Sequence, residues 1–232
     1  MFWLSQAFTR CSNAVMQVLI MSVIAVVNQK GGCGKSTTAG HLCRWLSKRG
    51  EVVALVDADA QQSSSIWVSA IAPSPVASVA TMETADEIIE QLPSISSKVD
   101  YVVIDGPGGI SELTRAMLLR ADIALIPVKP TGQDIRSAAD AVRLIKQAQS
   151  VRGGSPVAAL FLSMAVKNTS LKGESLEVLQ RLDLPVLKTV IHQKQAVADT
   201  FGQRSTVFDM PGRSAADSAR EFSNLFEEAI AL

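Results

Sequence analysis

The run Asn28-Gln29-Lys30-Gly31-Gly32-Cys33-Gly34-Lys35-Ser36-Thr37 follows an apolar stretch and precedes a helical one. A tight glycine-rich turn in that setting leaves several backbone N–H groups pointing into one concavity at the positive end of a helix dipole, where phosphate is the natural occupant. Lys35 then supplies a point charge to β and γ phosphates, and the Ser36 hydroxyl is placed to ligate Mg²⁺. The general pattern G-x-x-x-x-G-K-[ST] puts its first glycine where this chain has Gln29. A plain glycine turn is the competing reading, but the order strand, loop, Lys-Ser pair, helix is the one phosphate binding requires.

Three carboxylates join this loop. Asp57 and Asp59 follow Val52–Val56, and Asp105 follows Tyr101–Ile104. Ligands of open α/β sheets lie at the carboxyl ends of strands. One acid there can hold Mg²⁺, directly or through water, while another group orients the attacking water. Asp105 suits the first task and Asp59 the second. Either could instead cap a helix or form a turn.

The elements that must position these groups are legible as apolar runs: 23–27, 52–56, 101–104, 123–126 and 157–162. Continuous β-branched runs mean strands covered on both faces, so the expected fold is α/β, a mostly parallel twisted sheet with helices on both faces. Helices are expected at Lys35–Arg49, Thr84–Leu92 (closed by Pro93), Ser111–Arg120, Asp134–Gln149, Leu171–Leu182 and Ala215–Leu232, with a short late strand at Pro185–Val190. The 232 residues, 47% hydrophobic, suit one large domain over residues 21–232. Residues 1–20 are apolar but broken by polar side chains and short for a bilayer span, and they read as a leader or an annotation artefact with Met16 and Met21 as alternative starts.

Lys30-Gly31-Gly32-Cys33-Gly34-Lys35-Ser36 resembles the deviant Walker A motif of the ParA/MinD family of P-loop ATPases, in which the first lysine is the signature residue. From the chain's own chemistry Lys30 could equally be a solvated surface charge. The resemblance implies that it reaches across an ATP sandwich dimer to the partner's phosphates and acts in trans, as an arginine finger does. It also implies that Asp57-Ala58-Asp59 is the family's Asp-x-Asp motif, its first acid organising the loop and Mg²⁺ and its second serving hydrolysis, and that Asp105-Gly106 is the Walker B strand end. Ala60 stands where many members have Pro. The expected site is thus Gly31, Gly32, Cys33, Gly34, Lys35, Ser36 and Thr37 for ATP, Ser36, Asp57 and Asp105 for Mg²⁺, and Lys30, Lys35 and Asp59 for catalysis. Ile126–Pro130 and the run Ile191–Gln195 add to the likeness, and the compact size resembles the small partition ATPases.

The resemblance implies a cytoplasmic, nucleoid-associated homodimer that binds DNA non-specifically and is stimulated by a ParB-like partner, moving plasmid or chromosomal cargo; the alternatives are the same switch positioning a protein assembly, such as a microcompartment or chemoreceptor cluster, and a MinD-like membrane-associated division regulator. Lys plus Arg equals Asp plus Glu, 22 each, so any DNA contact must be a local patch; 167–220 holds eight basic against six acidic residues. Membrane binding of the MinD kind is not expected, because the last helix carries Glu221, Glu227 and Glu228 rather than a basic face. The cysteines, Cys11, Cys33 and Cys43, fit neither a disulfide framework nor an iron–sulfur reductase, and His41 and His192 read as structural.

Overall fold

The computed structural model describes residues 22–109, 111–167 and 170–232, so the reading of residues 1–20 lies outside the described residues. Six strands, β1 (Ser22–Asn28), β2 (Val53–Asp57), β3 (Ser78–Thr81), β4 (Tyr101–Gly108), β5 (Ile123–Val128) and β6 (Val157–Leu162), form one sheet in the order β3-β2-β4-β1-β5-β6. Every pairing is parallel. Between and after them lie α1 (Lys35–Lys48), α2 (Ser63–Ser69), α3 (Ala85–Ser96), α4 (Glu112–Arg120), α5 (Gly132–Val151), α6 (Ser170–Leu179), α7 (Gln195–Ala198) and α8 (Arg213–Ile230). The expected fold class is the one found.

All seven residues of β1 are buried, as a central strand covered on both faces requires. Alternate strand residues feed two apolar cores. One packs Ala25, Ile104, Ala124 and Leu160 against α3, α4, α5 and α6; the other packs Ile24, Val103, Leu125 and Phe161 against α1, α2 and α8. β1 lies between β4 and β5, so the connection after it passes over β4 to reach β2, and the loop between β1 and α1 opens at the carboxyl edge beside those of β2 and β4. That is where an open parallel sheet makes its crevice.

Five elements depart from the sequence reading. α2, the one-turn α7 and the short edge strand β3 are additional. α3 runs through Pro93 to Ser96 instead of ending there. A helical proline lacks the N–H that bonds the carbonyl four residues back; here the Ile89 carbonyl is taken by Arg120 Nη2 at 2.7 Å, so the helix continues. Pro185–Val190 forms no strand, only an isolated bridge from Val186 to Leu160.

Candidate nucleotide site

Gly34 caps α1 with φ +96°, a conformation suited to glycine, and a Cβ placed there would lie 2.8 Å from Ser163 Oγ. The loop is tied at its base. Asn28 Nδ2 donates to Pro127 O (2.6 Å) and Asn28 Oδ1 accepts from Lys30 N (3.2 Å), fastening the β1 end to β5. The carbonyl of Lys30 accepts from both Lys35 Nζ (3.1 Å) and Cys33 Sγ (3.2 Å). Lys35 is therefore held buried inside the turn. Burial pushes the Cys33 thiol pKa up, against the opposing pull of Lys35, so Cys33 is a packed thiol. Lys30 is half-buried as a residue, and its ammonium makes no ion pair or hydrogen bond among the described residues.

Register brings the acids together: Asp57 on β2 is the direct neighbour of Asp105 on β4, and Val26 of β1 flanks Asp105 on its other side. Asp57 is occupied with the backbone, accepting from Asp59 N (3.1 Å) and Ser65 N (2.8 Å), and so fixes the β2–α2 turn. Asp59 ties its own turn to the end of β4, accepting from Gln61 N (2.9 Å) and Gly108 N (3.3 Å). Asp105 differs from both. It is fully buried, and neither carboxylate oxygen has a hydrogen-bond partner among the described residues. Burial lifts its pKa to about 7; Ser36 and Ser64 hydroxyls and Lys35 oppose the rise and Asp57 adds to it. A Cβ at Gly106 would sit 2.8 Å from Val26 O, so the residue after Asp105 must be glycine for β4 to lie this close to β1.

An orphaned buried carboxylate beside a serine hydroxyl is a hard oxygen donor set, and it fits Mg²⁺, which typically takes one or two protein oxygens and completes its six ligands with water and phosphate. No group of three or more His, Cys, Asp or Glu suited to a metal exists among the described residues.

The loop opens into a cleft of about 680 Å³. Gly31, Gly32, Gly34, Lys35, Ser36 and Thr37 line one end with Asp59. The other wall is made by Ser163, Met164, Ile191–Lys194, Val197 and Phe201. Of the two runs that add to the family likeness in the sequence, Ile191–Gln195 contributes its first four residues to the cleft and Ile126–Pro130 none. His41 sits below the cleft, stacked on Phe222 at 4.3 Å. Its Nε2 accepts from Val207 N, so Nδ1 carries the proton and donates to Thr37 O (2.7 Å); burial lowers its pKa to about 4 and keeps it neutral. That structural role is the expected one for His41.

Residues 24–207 match the CobQ/CobB/MinD/ParA nucleotide binding domain. The chain belongs to this family. Within the CobQ/CobB/MinD/ParA family it is 29% identical, over 87% of this chain and 94% of the relative, to the maintenance of carboxysome distribution protein A of Halothiobacillus neapolitanus. It is 25% identical, over 83% and 93%, to the sporulation initiation inhibitor protein Soj of Bacillus subtilis. An ATP complex of a Cyanothece McdA variant superposes with a TM-score of 0.72 at 17% identity, covering 91% of this chain and 97% of that one, which shows the shared fold. Family membership shows nucleotide binding for the chain, and the cleft beside the glycine-rich turn is the candidate site.

No helix among the described residues is long and apolar enough to cross a membrane. The apolar face of α8, Phe222, Leu225, Phe226 and Ala229, is buried in the chain's own core.

Proposed function

We propose that the protein is an ATPase that closes as a face-to-face homodimer on Mg²⁺–ATP, binds nucleoid DNA non-specifically in that form, and lets go after hydrolysis stimulated by a ParB-like partner. It thereby distributes plasmid or chromosomal DNA in the cytoplasm. The observation that carries this reading is the pair of lysines. Lys35 is already buried against the turn as the phosphate cation, whereas Lys30 bears a charge with no partner among the described residues. A second subunit's phosphates are the counter-charge that gives Lys30 a task.

Each residue then has a role. Backbone N–H groups of Gly31–Thr37 hold the phosphates, and Lys35 neutralises them as charge develops. Ser36 and Asp105 would hold Mg²⁺, with Asp57 fixing the adjoining turn; the ion supplies charge neutralisation at the phosphate oxygens. Asp59, tethered to Gly108 and facing the cleft, orients water for conversion of ATP and water to ADP and phosphate. Lys30 acts in trans, so turnover requires two subunits.

ATPase rate and sedimentation, with and without non-specific DNA, test this on the wild type, Lys30→Ala and Asp59→Ala. We expect Asp59→Ala to accumulate as an ATP dimer on DNA and Lys30→Ala to lose turnover. The reading fails if neither substitution changes dimerisation, turnover or DNA retention.

The match to a carboxysome distribution protein over 94% of its length favours a second reading in which the same switch positions a protein assembly. Deleting the gene and imaging the cells separates the two. Plasmid or chromosome loss at division supports the first; a mispositioned protein assembly with DNA inheritance intact supports the second.

A further inference from the structure

The segment after α6 runs along β6 without becoming a strand. On the side facing β6, Leu187 N donates to Leu160 O (2.8 Å), Ile191 N to Leu162 O (2.9 Å) and Gln193 N to Ala165 O (2.9 Å). The N–H groups of Lys188, Thr189 and His192 are not bonded to β6, and in a sheet a further strand would have satisfied such groups. Two glutamates of α8 do so instead. Glu228 accepts from Lys188 N (2.7 Å), Thr189 N (3.0 Å) and Thr189 Oγ1. Glu221, seven residues earlier and on the same helical face, accepts from His192 N (3.0 Å), shares a 3.0 Å contact with His192 Nδ1, and accepts from Lys194 Nζ (2.8 Å).

The two acids do the same work at different places. His192, Gln193 and Lys194 line the nucleotide cleft; Lys188 and Thr189 do not. Glu221 also precedes Phe222, which lines the cleft and stacks on His41. The side chains of His192, Lys194 and Glu221 are 16%, 11% and 20% exposed, so this contact is sheltered from solvent and its loss is not readily made good by water.

We infer that Glu221 is a positioning residue that sets the base-side wall of the nucleotide cleft through His192 and Lys194. The inference rests on the proposed binding of ATP with its phosphates in the turn, which places the base toward residues 191–201. Glu221 touches no reacting atom. It fixes where the wall stands, and a wall set correctly before binding costs the nucleotide nothing to organise.

Titration of the full chain with Mg²⁺–ATP and with inorganic tripolyphosphate, which has no base, tests this on the wild type, Glu221→Gln and Glu228→Gln. Glu221→Gln should weaken ATP about tenfold and raise KM for ATP by a similar factor, with kcat and tripolyphosphate affinity changed less than about twofold. Glu228→Gln should lower Tm and leave both affinities within about twofold. Unchanged ATP affinity in Glu221→Gln, equal losses for ATP and tripolyphosphate, or equal behaviour of the two variants each overturns the assignment. A wild type that binds no ATP overturns the nucleotide reading and this inference with it. Should Glu221→Gln unfold, Lys194→Met cuts the same contact from the loop side and is judged by the same criteria.

Discussion

The phosphate end and the far wall of the cleft are built on opposite plans. At the phosphate end a single turn, Lys30 to Thr37, places backbone donors and its own lysine; within the turn the fixings are short-range, Lys35 to the Lys30 carbonyl and Gly34 in a left-handed conformation, with the bond from Asn28 to the Pro127 carbonyl anchoring its base. The far wall is gathered from the ends of β6, the 191–194 segment, α7 and its following turn, and α8. Its fixings are side chains of remote residues, such as Glu221. A backbone cradle tolerates few residue types, because its geometry is dictated by φ and ψ. A wall of side chains can be altered in small steps.

The largest effect expected from this contrast is at the point where the two plans meet. Gly34→Ala forces a methyl to 2.8 Å from Ser163 Oγ and strains φ, and ATPase activity should fall by about a hundredfold, the scale of losing preorganised backbone donors. A rate within about twofold of the wild type would show that the turn is less demanding than its geometry implies.

Asp105 gives the next effect, and its sign is opposite for stability and activity. Its folded pKa of about 7 exceeds the ordinary 3.8, so the folded state binds the proton more tightly than the unfolded one. Its contribution to stability is therefore full below about pH 4 and is lost as pH rises toward 7. Asp105→Asn should raise the Tm of nucleotide-free protein at pH 8 by about 3–6 °C, with a smaller gain at pH 5, while lowering Mg²⁺-dependent turnover sharply. Thermal melts at both pH values check this; a lower Tm at pH 8 would mean the carboxylate is stabilised in the folded state.

On the far wall, Phe201 is 53% exposed, and Phe201→Ala should raise KM for ATP about threefold with kcat unchanged in steady-state assays. A hundredfold loss there would erase the distinction between the two ends. The smallest effect is expected at Cys33→Ser. The hydroxyl can keep the bond to the Lys30 carbonyl, and turnover should change by less than about twofold.

The same contrast explains what the sequence reveals. The turn, the acids at the carboxyl ends of β2 and β4, and five of the six described strands are written in contiguous residues and are readable from type and spacing. β3 is not, because Ser78-Val79-Ala80-Thr81 is a four-residue edge strand with only partial burial and so carries a weak apolar signal. The near-strand at 185–190 has strand-like composition, but the N–H groups of Lys188 and Thr189 are satisfied by α8, forty residues away. The acids of α8, read from sequence as a charge unsuited to lipid, are in part edge caps. Asp57 shows the finer limit: its spacing marks it as a site residue, while only the structure shows that both its oxygens are committed to backbone N–H groups and that both oxygens of Asp105 lack hydrogen-bond partners among the described residues.

The carbonyl of Ile89, released by Pro93 and claimed by Arg120, makes two distant positions interdependent. With Arg120 present, proline at 93 is tolerated. Replace Arg120 first and the same proline leaves a partnerless acceptor inside a helix; replace Pro93 first and the arginine is displaced by the ordinary helical hydrogen bond. The two positions should therefore show epistasis, with the cost of Arg120→Ala falling by about 1 kcal/mol in a Pro93→Ala background, and an ancestor acquiring both had one easier order in which to do so.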